Sequence, residues 1–153
     1  MSGFEQRLAE LGVTLPDAPA PAANYVPWIV LDGMVHVSGQ VPLRDGAFVT
    51  GKLGEDMSVE DGAAAAKLCA ISLLAQVKAA AGGDLDRLKQ VVKLTGFVNS
   101  TADFGDQPKV INGASDFLVA ALGEAGRHTR SAVSAASLPF GVAVEIEGIF
   151  QLK

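Results

Sequence analysis

Cysteine is nearly absent. Cys69 is the single one among 153 residues, which excludes an internal disulfide. Histidine is scarce as well, with only His36 and His128. No His, Cys or carboxylate cluster has metal-ligand spacing, so neither a metal nor a cofactor is expected. The glycine-rich spots read as turns rather than as a phosphate-binding loop. No apolar run reaches the length of about 18 residues that a membrane span needs. Residues 4–15 are broken by Glu5, Gln6, Arg7 and Glu10 and do not read as a signal peptide; a soluble cytoplasmic protein is expected. Lysine and arginine form no cluster, aromatics are 6% of the chain, and the formal net charge is −5. Such a field repels nucleic acid, so no nucleic-acid partner and no membrane partner are expected. No internal repeat or low-complexity tract is present.

What the chain does have is apolar surface. Hydrophobic residues make up 49% of it and charged ones 19%, a rich balance for one small domain. Residues 3–12 read as a short helix, with Phe4, Leu8 and Leu11 at helical spacing and Gly12 as its stop. Three prolines within residues 15–24 then favour an extended connector. Residues 1–23 are expected to form an N-terminal helix and Pro/Ala-rich connector, and residues 24–153 an α+β domain.

Residues 25–31 and 34–40 read as strands joined by Asp32-Gly33, a strong hairpin dipeptide. Asp45-Gly46 marks a second turn. Ser58-Val59-Glu60-Asp61 resembles a capping box and opens a helix with Ala66, Ala70, Leu73, Leu74 and Val77 on one stripe, ended by Gly82-Gly83. Cys69 borders that stripe and reads as a small core residue. Residues 91–99 read as a strand. Pro108 suits the first turn of a second helix, whose stripe runs Val110, Ile111, Ala114, Phe117, Leu118, Ala121, Leu122. Helices on one face of a mixed sheet make a two-layer domain with the other sheet face bare, which favours oligomerisation.

Residues 130–152 read as two strands joined by a turn at Leu138-Pro139-Phe140-Gly141. In the second, Val142, Val144, Ile146, Phe150 and Leu152 alternate with Ala143, Glu145, Glu147, Ile149 and Gln151. From pattern alone, Glu145 and Glu147 would be ordinary residues of a solvated face. Arg130 opens the first strand among small neighbours, Ser131, Ala132 and Ser134. A half-buried arginine must find an anion, either a structural carboxylate such as Glu147 or a bound carboxylate gripped by two parallel N–H bonds.

Four motifs in order then carry a resemblance. Arg130-Ser131, Leu138-Pro139 and Val144-Glu145-Ile146-Glu147 resemble the C-terminal signature of the RidA/YjgF family of enamine/imine deaminases. Val37-Ser38-Gly39-Gln40-Val41-Pro42 is similar to the family's S-G-Q-x-P segment. Tyr25 stands where the family has a pocket tyrosine, and Asn112 matches the asparagine that opens its second helix. The resemblance spans residues 24–153.

It implies a Bacillus chorismate mutase-like fold and a homotrimer with three sheets around a central barrel. It also implies hydrolysis of 2-enamine/2-imine carboxylates to 2-oxo acids and ammonia, without a cofactor. In that reading Arg130 anchors the substrate carboxylate and Glu145 orients water and accepts its proton. Backbone N–H groups near Gly39 and Ala132 bond the ligand, and Tyr25, Ser38 and Asn112 line the pocket. Many family members have cysteine where this chain has Ala132, and the N-terminal segment is a further departure. Two other functions stay open: a non-catalytic trimer that binds small carboxylates and regulates a partner, and, less favoured by the acidic charge, an endoribonuclease.

Overall fold

The computed structural model describes residues 3–153; Met1 and Ser2, the start of the expected N-terminal segment, lie outside the described residues. The elements are α1 (Gly3–Glu10), β1 (Trp28–Leu31), β2 (Met34–Gln40), β3 (Leu43–Arg44), β4 (Ala47–Phe48), α2 (Val59–Ala80), β5 (Leu88–Asn99), α3 (Gln107–Leu122), β6 (Thr129–Ala135) and β7 (Val144–Leu152). Asp32 and Gly33 both adopt positive φ, as do Asp45 and Gly46, so each pair forms the turn expected of it. Ser58 Oγ accepts from the Asp61 N–H at 3.1 Å, capping α2.

Five strands form one mixed sheet in the order β1-β2-β7-β5-β6. β5 and β6 are parallel, linked through α3, and β7 runs antiparallel to both β2 and β5. β6 and β7 therefore run in opposite directions as expected, but β5 lies between them. A parallel neighbour needs a long crossover, and α3 supplies it; the strand after the 138–141 turn then fills the remaining gap beside β2. Tyr25 falls outside the first strand, which starts three residues later than expected. Pro27, without an N–H, stands just before it and contributes only its carbonyl, to the Ser38 N–H.

The core lies between the sheet and α2 plus α3. Leu73, Leu74, Ile111, Leu118, Ile146 and Phe150 are fully buried there, each stabilising by about 1.5–3 kcal/mol relative to exposure. α2 is long and apolar enough by composition to cross a membrane, but over half of its most apolar window is buried in this fold, as befits a core helix. α2 and α3 approach closely at Gly113, where a Cβ would sit 1.9 Å from the Ala63 carbonyl oxygen. We expect Gly113→Ala to destabilise by about 1–3 kcal/mol or more, outweighing the roughly 1 kcal/mol that Ala gains over Gly in a helix, because the atoms struck are backbone. Thermal unfolding checks this; a raised midpoint would contradict the crossing.

α1 is too short to persist by itself. It is held by partners distant in sequence: the Gly3 and Phe4 N–H groups donate to the Asp86 carboxylate at 2.8 and 3.1 Å, Arg7 donates to the Ala120 carbonyl, and Glu5 pairs with Lys78. Leu8 is buried, whereas Leu11, expected on the same stripe, lies beyond the helix end and is 44% exposed. The opposite face of the sheet has no helix over it and presents Ile29, Leu31 and Val133 to solvent.

Candidate functional site

The residues picked from the sequence fall into two groups. Register decides this. On β5, Leu94, Gly96 and Val98 face the helices, and a Cβ on Gly96 would meet Ile111 of α3. Arg130 pairs with Leu94 and Ala132 with Gly96, so both share that face. Glu145 pairs with Phe97 and points to the other. Arg130 and Glu145 are also displaced by three residues along the strands, about 10 Å at the usual rise. Within one chain the expected acid–base and anchoring residues do not meet.

The first group surrounds a cavity of about 520 Å³. Tyr25, Gly39 and Glu145 line it, together with residues 19–23, Phe48 and Phe140. Its geometry begins in a β-bulge. The pairings Val37 with Gly148 and Gln40 with Ile146 leave Ser38 and Gly39 opposite the single residue Glu147. A Cβ on Gly39 would fall 2.9 Å from Cδ and Oε2 of Glu145, so the absent side chain is what lets the carboxylate lie against the bulge. Burial raises the pKa of Glu145, and the neighbouring Glu147 raises it further. Both effects disfavour the anion and bring the group nearer to a neutral-pH base. Burial likewise pushes the Cys69 thiol up, with Glu145 adding to it. Cys69, fully buried, is thus held as the neutral thiol.

Ser38 Oγ donates to the Val26 carbonyl at 2.8 Å and lines an adjoining cleft with His36 and Glu147, not the larger cavity. Sequence patterns did not single out Phe48, Phe140 or the connector as lining residues. Their signal is tertiary, since the connector is drawn in by the buried Gln76, whose Nε2 donates to the Pro19 carbonyl at 2.7 Å.

The second group lies at the β6–α3 edge. Arg130 Nη1 donates to Ser115 Oγ at 3.0 Å and Nη2 to the Pro108 carbonyl at 3.2 Å. Among the described residues it forms no ion pair with a carboxylate, and Glu147, weighed as its structural partner, faces the other side of the sheet. Asn112 lines the same shallow cleft as Arg130, Ser115 and His128. It does not open the helix: α3 starts at Gln107, and Asn112 is an exposed residue of its second turn. Ala132, half-buried, packs against the core and lines neither cavity.

Ser115 is the partner that sequence reading missed, although its i+3 spacing from Asn112 puts both on one helix face. Its Oγ also lies 2.9 Å from His128 Nε2, while His128 Nδ1 bonds the Gly126 carbonyl at 2.6 Å. A carbonyl can only accept, so Nδ1 carries the proton and Nε2 accepts from the serine hydroxyl. Ser115 then offers its lone pairs to Arg130. Burial lowers the pKa of His128; the Gly126 bond opposes this and the Arg130 charge adds to it. The folded state thus prefers neutral histidine. The stability this confers is complete above the ordinary pKa of 6.5 and is lost as pH falls through the lower folded value. We expect the thermal midpoint to drop between pH 7 and 5, and His128→Asn to remove part of that slope; an unchanged slope would contradict the coupling.

Residues 5–146 match the model of a family described as YjgF/chorismate mutase-like, putative endoribonuclease. The chain is 50% identical over 148 residues to Protein TCP17 of Trypanosoma cruzi, covering 95% of this chain and 92% of that one. Its fold superposes with a TM-score of 0.93 on a crystal structure from Shewanella oneidensis, also described as a putative endoribonuclease, at 35% identity and coverage of 97% and 99%. Escherichia coli TdcF, solved with bound serine, superposes with a TM-score of 0.63 at 28% identity, covering 90% or so of each chain (89% of this one, 94% of that one). With most of its length matched and its two-layer mixed-sheet fold shared, the chain belongs to the YjgF/chorismate mutase-like family.

Proposed function

We propose that the protein is a hydrolase that deaminates 2-imino carboxylates to 2-oxo acids and ammonia, at a site assembled between copies of the chain. The observation that carries this reading is Glu145. It is a half-buried carboxylate with a raised pKa, lying against the glycine of a β-bulge at a cavity it shares with Tyr25. A surface glutamate on a solvated sheet face would need none of this.

The chemistry asks little of the protein. The iminium carbon is already electrophilic. Glu145 takes a proton from water as its oxygen bonds to that carbon. The proton is then returned to nitrogen; as the C–N bond breaks and ammonia leaves, the hydroxyl gives its proton to Glu145 and becomes the carbonyl of the 2-oxo acid. Positioning is most of the catalysis. A second group must hold the substrate carboxylate, and Arg130, which has no carboxylate partner among the described residues, suits that role. Because it lies on the other face of the sheet, the Arg130 acting on a given cavity would come from a second copy. The bare sheet face with Ile29, Leu31 and Val133 supports such assembly, and a homotrimer is the state we propose.

Two readings compete. The serine held by TdcF favours a carboxylate binder without turnover. The endoribonuclease description of the family is opposed by the net charge of −5, since RNA binding draws chiefly on phosphate-neutralising cations. The deciding assay supplies 2-imino acids generated in situ by an amino-acid oxidase and follows imine consumption. Accelerated hydrolysis by a species that sediments as a trimer is expected; a stable monomer at micromolar concentration would overturn the shared site.

A further inference from the structure

The cavity at Glu145 is far larger than a three-carbon acid fills, and its volume of about 520 Å³ lies within the range of specific small-molecule pockets. Its walls are mostly apolar. Residues 19–23 contribute only proline and alanine, and Val41, Leu43, Phe48 and Phe140 add hydrocarbon. Beyond Glu145, the polar side chains on the lining are Gln40 and Tyr25. Gln40 is already committed, donating to the Ser38 carbonyl and lying 3.4 Å from Gln76 Nε2.

Two features mark these walls as built. The connector is fastened by the bond from Gln76 to Pro19, a buried side chain spent on holding a loop. Phe140 sits at φ 60°, ψ 12°, a left-handed conformation that a bulky residue adopts at a cost of about 1–2 kcal/mol. Gly141, next in the chain, also takes positive φ, at 70°, but without a side chain it does so freely. The strained backbone brings the Phe140 ring onto Phe48, stacked at 4.8 Å between centroids and 13° between planes. Both rings remain substantially exposed, 59% and 43%, so the pair is not there to fill the core. An exposed aromatic pair, one member of it strained, on the lining of the cavity that holds Glu145 has the character of a binding surface rather than of a core contact.

We propose that this cavity is a side-chain subsite that selects 2-imino acids with large apolar side chains, such as those formed from leucine or phenylalanine, over those formed from alanine or serine. Residues 19–23 and the Phe48–Phe140 pair set the choice. The inference rests on the deaminase reading for its reaction, but not for its selectivity. A hydroxyl in this cavity would lose water and find only Tyr25 and Glu145 as side-chain partners, so serine-derived substrates gain less here than those with larger apolar groups. Each added methylene would gain apolar contact.

The test compares kcat/KM for leucine-, phenylalanine-, alanine- and serine-derived imines, each generated in situ, and in parallel measures binding of 4-methyl-2-oxopentanoate and pyruvate by calorimetry. A pocket of this kind discriminates by about tenfold or more per missing group. The leucine-to-alanine ratio is therefore expected to exceed ten, and to fall severalfold in both Phe140→Gly and Phe48→Ala. Phe140→Gly relieves the strained backbone, so loss of selectivity in a variant at least as stable as the parent cannot be misfolding. A wild-type ratio near or below one, or a ratio that neither variant moves, overturns the subsite and leaves the deaminase intact. If no imine is hydrolysed, the binding arm decides. Tenfold tighter 4-methyl-2-oxopentanoate, lost in Phe140→Gly, upholds the subsite and sinks the deaminase; equal affinities sink both.

Discussion

Arg130→Ala should abolish hydrolysis of 2-imino acids and weaken 2-oxo acid binding by about 1.5–3 kcal/mol, the range for hydrogen bonds to a charged group. The expectation rests on how the guanidinium is held. Ser115 Oγ accepts from its Nη1 and the Pro108 carbonyl from its Nη2, and neither carries a charge. The cation is thus oriented without being neutralised, which leaves its electrostatic capacity for a ligand anion. Arg130→Lys should recover little, because an ammonium cannot reproduce two parallel N–H bonds to a carboxylate. The fold should tolerate both changes, since Arg130 is only half-buried and forms no ion pair among the described residues. Single-turnover assay and calorimetry on each variant check this. Retained turnover and affinity in Arg130→Ala would make the arginine a strut for α3 and remove it from the site.

Glu145→Gln should separate binding from turnover. Glutamine keeps the shape and an acceptor but cannot take a proton from water, so the rate should fall about 10²–10⁴-fold while 2-oxo acid affinity persists. The same change should stabilise the protein. The folded pKa of Glu145 is raised, by burial and then by Glu147. Its contribution to stability is therefore fully present below the ordinary carboxylate pKa and is lost as pH rises through the folded value. The variant should accordingly melt above the parent at pH 7–8, with the difference closing toward pH 4. Activity lost together with stability would point to a structural role instead. Mixing the two inactive variants gives a sharper check. If Arg130 and Glu145 of one site come from different copies, trimers refolded from an Arg130→Ala and Glu145→Gln mixture contain some sites with both wild-type residues, and activity should return. A mixture as dead as its components would refute the shared site.

Much of the architecture was written in local pattern. The turns at Asp32-Gly33 and Asp45-Gly46, the cap at Ser58 and the apolar stripes of α2 and α3 are short-range signals, and each was legible because its physics involves residues close in sequence. The alternation in β7 likewise marked Ile146 and Phe150 as core, and both are fully buried. Family motifs made Arg130, Glu145, Tyr25 and Gly39 visible as candidates.

What the sequence by itself determined is therefore the set of elements, which face of each is apolar, and the residues able to carry an acid–base or anion-binding role. Tertiary structure alone decided how those residues are distributed. β5 lies between β6 and β7, and its register with each puts Arg130 and Glu145 on opposite faces; no local pattern records which strands become neighbours or in what register. Long-range packing also folded the proline-rich connector over Glu145 through Gln76, set Ser115 and His128 around Arg130, and stacked Phe140 on Phe48. Contacts of this kind are chosen by the collective burial of surfaces far apart in the chain, so their energy resides in no single segment and cannot be read from one.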